Sequence, residues 1–298
     1  MQKYIAFDIG GTKIKYGVLN EIGQIITKGE TNTRNSSLDI FLGDLQEIIR
    51  NYKTEYEICG IAMSMPGVIN PKTGIIDICR FLRCAEGINI KEELKNRTGL
   101  NVAIENDAKC VVLAEKFNGA AVENNNFACI TLGTGVGGGL FINGELVAGN
   151  TFKAGEVSYM IVNGINEGNK GFEITNENAS TRGLINMYKK YKNIDKETEI
   201  EGNIIFEEGK KDFKVKAIIN NWYRNIAYVV YNICAMINPE KILIGGGITS
   251  RSQLLDELKV ELNEIPWWSD IEVELGICKH KNNAGMIGAV YNYIINYK

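Results

Sequence analysis

The sequence predicts an α/β protein built from two related halves, on three observations. A run of strand, glycine turn, strand, polar turn and strand opens the chain and recurs about 120 residues later. Apolar residues at helical spacing follow the strands. The 298 residues suit about two domains, and either half is long enough to bury its own core.

In the first half, Tyr4 to Asp8 is an apolar strand, Ile9-Gly10-Gly11-Thr12 a turn, and Ile14 to Leu19 a second strand. Asn20-Glu21-Ile22-Gly23 turns into a third strand, Gln24 to Gly29. Leu38, Phe41, Leu42, Leu45, Ile48, Ile49 and Tyr52 then recur as one helix face. Ile58 to Ser64 is a strand stopped at Met65-Pro66-Gly67, and Val102 to Glu105 leads through Asn106-Asp107-Ala108 into a helix over Lys109 to Lys116.

The second copy starts with the strand Phe127 to Leu132 and the turn Gly133 to Gly139, followed by a strand over Leu140 to Ile142, an Asn143-Gly144 turn and a strand through Leu146-Val147. A helix from about Lys216 to Ile237 stops at Asn238-Pro239. Lys241 to Ile244 reads as a buried strand, Gly245-Gly246-Gly247 as a turn, Ser252 to Leu262 and Ala284 to Ile295 as helices.

Composition narrows the function. Hydrophobic residues are 45% and charged residues 23%, which excludes disordered and fibrous classes. Lys plus Arg number 33 against 36 Asp plus Glu, a net charge of −3, so there is no broad footprint for nucleic acid or an anionic membrane. Lys189-Lys190-Tyr191-Lys192 and Lys210-Lys211-Asp212-Phe213-Lys214 read as solvated faces. MQKYIAFDIGG enters a strand directly, without the apolar core of a signal peptide. The most apolar helical stretch, Ala227 to Ile237, is far short of the roughly 20 residues that span a bilayer. Cys59, Cys79, Cys84, Cys110, Cys129, Cys234 and Cys278 form no CxxC pair, which fits buried reduced thiols in a cytoplasmic protein.

Gly133-Thr134-Gly135-Val136-Gly137-Gly138 formally satisfies G-x-G-x-x-G, but a hairpin pattern follows it instead of the helix that a dinucleotide site needs. A turn between strands can still cradle phosphate, because bare glycines admit the ligand to successive N–H groups. Gly10, Gly11 and Thr12 offer this from one half and Gly133 to Gly137 from the other, and both are equally readable as tight hairpins. As a pair they would grip a triphosphate from two sides of an interdomain cleft, with Asp8 near the metal–water shell.

Asp107 is either an N-cap or the carboxylate that takes a hydroxyl proton during phosphoryl transfer, with Asn106 bonding substrate hydroxyls. Pro66, Gly67, Gly155 and Glu156 are candidate edges of the same pocket; Glu156 is either a surface residue or an acceptor for vicinal hydroxyls. His280 is the only histidine, so a multi-histidine metal site is excluded, and a surface or cleft-edge position is expected for it. Trp267 and Trp268 are expected to pack or to serve a subunit contact.

Taken together, these residues resemble the ROK family of sugar kinases, repressors and uncharacterised frames. Asp8-Ile-Gly-Gly-Thr-Lys13 resembles its first phosphate motif, Gly60 to Gly67 its proline–glycine sugar loop, and Glu105-Asn-Asp-Ala108 its catalytic segment. Leu132 to Gly139 resembles the second phosphate motif and Ile244 to Ile248 the adenosine-side turn. The resemblance implies a two-domain actin-like, ribonuclease H-like ATPase fold with duplicated βββαβα halves. It divides the chain into a smaller domain, 1–118 plus 284–298, and a larger one, 119–283, with the active site in the cleft.

By the same resemblance, Asp107 is the catalytic base on a sugar C6 hydroxyl; Pro66, Gly67, Asn106, Glu156, Tyr159 and Glu177 line the sugar site. Asp8, Gly10, Gly11, Thr12, Lys13, Gly133, Thr134, Gly135, Gly137, Gly245, Gly246 and Gly247 bind ATP, with Mg²⁺ carried by ATP near Asp8. Many members have a histidine and a three-cysteine zinc motif. Here Tyr159 stands at the histidine position and 168–180 contain no cysteine, so no zinc is expected. Asn176 aligns with the family's second sugar glutamate; Glu177, one place later, and Glu173 are possible replacements.

The resemblance implies a cytoplasmic homodimer acting on a small sugar, best matched to the zinc-less branch of N-acetylmannosamine kinases (sialic acid catabolism) and β-glucoside kinases. N-acetylmannosamine is the favoured substrate, with glucokinase or β-glucoside kinase activity as alternatives. Two other classes fit the sequence less well: a sugar-responsive transcription regulator, for whose DNA-binding segment no room precedes Asp8, and an actin- or chaperone-like ATPase without a sugar substrate.

Overall fold

A computed structural model describes all residues except Asn166, Asn169 and Lys298. Asn169, inside the cysteine-free segment, and the predicted domain end at Lys298 therefore lie outside the described residues. The chain forms two compact units, 1–124 with 145–154 and 278–298, and 125–144 with 155–277.

In the first unit, β1 (Lys3–Ile9), β2 (Lys13–Asn20) and β3 (Ile25–Asn32) form an antiparallel meander. Helix α1 (Leu38–Glu55) follows, its first turn capped by Ser37, whose Oγ accepts from the Ile40 N–H at 3.3 Å. It buries Phe41, Leu42, Leu45 and Ile49. β4 (Ile58–Met65) runs parallel to β1; the small hairpin of β5 (Val68–Ile69) and β6 (Ile76–Ile78) follows, then α2 (Ile90–Thr98). β7 (Val102–Asn106) extends the sheet parallel to β4 and leads into α3 (Asp107–Asn118).

The second unit repeats the plan. β8 (Phe127–Leu132) pairs antiparallel with β9 (Val136–Ile142), and the Asn143-Gly144 turn leads to β10 (Glu145–Leu146), whose residues fall in the first unit. Helices α4 (Thr175–Asn178), α5 (Thr181–Lys192), α6 (Gly202–Glu208) and α7 (Phe213–Ile237) come next. β11 (Lys241–Gly245) lies parallel to β8; α8 (Leu254–Asn263) and α9 (Trp268–Ile271) lead to β12 (Glu274–Ile277), parallel to β11. The last helix, α10 (Ala284–Tyr297), belongs to the first unit. In both sheets the first strand therefore has an antiparallel neighbour on one side and two parallel strands on the other, the relation the internal repeat predicts.

Several local expectations need correction. β9 begins at Val136 and not at Leu140: Gly137, Gly138 and Gly139 pair with Thr131, Ile130 and Cys129. Gly138 and Gly139 stay bare because the segment 155–157 lies on them; a Cβ on Gly138 would stand 2.7 Å from the Gly155 carbonyl. Helix α7 starts at Phe213, capped by Asp212, whose Oδ1 accepts from the Lys214 and Val215 N–H groups at 2.9 and 3.3 Å. Lys189 is buried and donates to the Lys196 carbonyl, and Lys192 pairs with Glu208 and Asp212, so that cluster is not a solvated face. Trp268 packs at 5% exposure, whereas Trp267 stands 73% exposed. His280 is half-buried, its Nε2 enclosed without a hydrogen-bond partner and its backbone N–H donating to Glu115 at 3.1 Å.

Candidate active site

In the first unit the β1–β2 turn is closed by the Gly10 N–H donating to the Lys13 carbonyl at 2.8 Å. A Cβ on Gly10 would stand 2.9 Å from that same oxygen, so the turn needs glycine there. Thr33 fastens it from β3's end, its Oγ1 donating to the Gly10 carbonyl at 2.7 Å. Gly11, Thr12 and Lys13 are exposed, and Lys13 pairs with Glu30.

Asp8 lies two residues before this turn. Its Oδ1 accepts from Ser64 Oγ at 2.8 Å and its Oδ2 lies 3.8 Å from Lys15 Nζ. A Cβ on Gly285 would come within 2.3 Å of Oδ1, so the carboxylate rests against the first turn of α10. Burial pushes its pKa up, while Ser64 and Lys15 oppose that shift.

The strand-to-helix corner after β7 is joined to the proline–glycine loop. Asn106 caps α3, its Oδ1 accepting from the Lys109 N–H at 3.1 Å, and its Nδ2 donates to the Gly67 carbonyl at 2.9 Å. Gly67 has φ +105°, and a Cβ there would lie 2.1 Å from the Ile78 carbonyl. Pro66 beside it is buried. Asp107, not the cap, is the first residue of α3, exposed and with Oδ1 accepting from the Ala108 N–H at 2.8 Å. Glu105 is buried beneath this corner, and burial pushes its carboxyl above the usual range. Lys109 is only 1% exposed and donates to the Phe152 carbonyl at 2.7 Å.

In the second unit, the turn after β8 holds Gly133, Thr134 and Gly135, with the Gly133 N–H on the Gly135 carbonyl at 2.9 Å; Gly137 already lies in β9. Gly246 has φ +90°, and its missing Cβ would stand 2.2 Å from the Leu132 carbonyl, so Gly245-Gly246-Gly247 abuts the start of the first turn. Gly155, at φ +81°, packs on Gly139, where a Cβ would lie 2.9 Å from the Cα. That contact seats Glu156 at the head of a 3-10 turn over Val157–Tyr159, with Ser158 Oγ 3.5 Å from its Oε2. Tyr159 is 58% exposed. Glu177 accepts from Asn176 Nδ2 at 2.9 Å and from Arg182 at 3.2 Å.

The first unit thus gathers Asp8, Gly10, Gly11, Thr12, Lys13, Pro66, Gly67, Asn106 and Asp107; the second gathers the other predicted residues. Sequence reasoning missed Ser64, Lys109 and Gly285, whose partners lie far along the chain, and Lys15, which faces Asp8 across the β1–β2 pairing; Ser64 alone left a signal, as the polar residue of an apolar strand. Among the described residues no group of three or more His, Cys, Asp or Glu could hold a metal ion. No described helix is long and apolar enough to cross a membrane.

The repeated sheet with glycine turns after the first strand of each copy defines the actin-like ATPase fold. The ROK family model matches residues 4–294, and the chain belongs to that family. It is 38% identical over 293 residues to a β-glucoside kinase of Listeria monocytogenes, covering 98% of this chain and 97% of that protein. A β-glucoside kinase of Klebsiella pneumoniae is 33% identical, with 98% and 96% covered. A solved Listeria monocytogenes structure, described as a candidate N-acetylmannosamine kinase, superposes with a TM-score of 0.92 at 37% identity, covering 100% of both chains.

Proposed function

We propose that the protein is an ATP-dependent sugar kinase transferring the γ-phosphoryl group to the C6 hydroxyl of a hexose. The observation that carries this reading is the corner at Asn106-Asp107. One amide caps α3 and grips the Gly67 loop, leaving Asp107 exposed at the helix start. In this role Asp107 accepts the hydroxyl proton as the oxygen attacks phosphorus. The Gly10–Lys13 and Gly133–Gly135 turns hold the phosphates through backbone N–H groups. Asp8 suits Mg²⁺ held through water, since one hard carboxylate plus substrate phosphates is a common magnesium donor set; the ion would neutralise phosphate charge. Glu156 and Glu177 accept from ring hydroxyls.

The names of the curated relatives favour a β-glucoside as acceptor. N-acetylmannosamine, the acceptor expected from the sequence, is the second reading and is favoured by the description of the Listeria structure. A coupled ADP-release assay over cellobiose, glucose, N-acetylglucosamine and N-acetylmannosamine ranks them; a folded protein that turns over none would overturn the kinase reading. The same reading includes a cytoplasmic homodimer, which light scattering tests for subunit number.

A further inference from the structure

We infer that Asn176 is a positioning residue shared by the nucleotide side and the sugar side of the site. It rests on the reading above, in which the turn after β8 takes phosphate and Glu177 takes sugar hydroxyls. Asn176 Oδ1 accepts from the Val136 N–H at 3.1 Å, and its Nδ2 donates to Glu177 Oε1 at 2.9 Å. Gly135 lies so near that a Cβ there would stand 3.0 Å from the same Oδ1. A backbone N–H only donates and an ionised carboxylate only accepts, so the group between them must present one acceptor and one donor. A side-chain amide does both. A carboxylate would keep the N–H but face Glu177 with like charge, and an aliphatic side chain would lose both bonds.

The turn is held a second time, by the Thr181 N–H on the Gly133 carbonyl at 2.9 Å. Arg182 fixes Glu177 from the other side at 3.2 Å. The phosphate turn and the sugar carboxylate therefore share one amide, and neither shifts by more than a hydrogen bond's slack without the other.

Steady-state kinetics on Asn176→Asp, Asn176→Ala and Glu177→Gln separate the two bonds. Asn176→Ala loses both and raises the KM for ATP and for sugar about tenfold each. Asn176→Asp keeps the acceptor for Val136, so at pH 8 its KM for sugar rises about tenfold while that for ATP stays within about twofold. Glu177→Gln raises only the KM for sugar. Thermal melts report the folding of each variant, and Glu177→Gln alone carries the test if Asn176→Asp does not fold. Equal movement of both KM values in Asn176→Asp, or an unchanged sugar KM in Glu177→Gln, would overturn the inference. Failure of the kinase reading is distinguishable, because it is read on the wild type before any variant.

Discussion

Asn106 carries two structural duties with one side chain. Its Oδ1 closes the first turn of α3 while its Nδ2 holds the Gly67 carbonyl, so the carboxylate next to it inherits a fixed position from both. Asp107→Asn keeps the size and the contact with the Ala108 N–H but cannot take a proton. Its kcat is expected to fall by about 10²–10⁴ with little change in thermal stability, checked by the ADP-release assay and a melting curve. Retention of normal turnover would remove Asp107 from the chemistry. The sequence left Asp107 open between cap and base because both roles favour a short carboxylate after a strand. The structure assigns the cap to Asn106 and makes Asp107 the first residue of α3.

Elements in the first unit are held together by close backbone approach. Helix α10 packs on α3 through Gly288, where a Cβ would stand 1.8 Å from the Cys110 carbonyl. Gly288→Ala is therefore expected to destabilise the protein by about 1–3 kcal/mol, measured by urea unfolding. Gly43 is the contrast: it lies inside α1, and a Cβ there meets nothing within 4 Å. Gly43→Ala is expected to stabilise by about 0.5–1 kcal/mol, since alanine loses less chain entropy in a helix. Strands β1, β2 and β8 were legible because alternation and turn residues are local signals. β9 was misread at its start because glycine reads as a turn when nothing shows the segment that will lie on it. The contacts of Ser64 with Asp8 and of Asn176 with Val136 were illegible for a related reason, since those partners are 56 and 40 positions away.

For the molecule as a whole, His280 imposes a pH dependence on stability. Burial lowers its pKa, with the buried Glu115 carboxylate opposing that shift and Lys279 adding to it. The unfolded chain then takes up a proton first, from about pH 6.5 downward. Stability from this group is complete above that pH and is lost as pH falls toward the depressed folded value. Melting curves between pH 8 and pH 5.5 should show a steeper decline for wild type than for His280→Gln; parallel curves would exclude the effect. The two-unit plan itself was readable from the duplicated strand–turn–strand pattern. The seating of this histidine was not, because its surroundings come from α3, more than 160 positions earlier.

The membership of α10 in the first unit also bears on how the chain is made. Emerging from a ribosome, the strands β1 and β4 appear early, yet the helix that covers them comes after every element of the second unit. The second unit has all its elements in hand before then. Vectorial synthesis thus reverses the order suggested by position along the gene: the later half can fold first, while one face of the earlier sheet waits for α10.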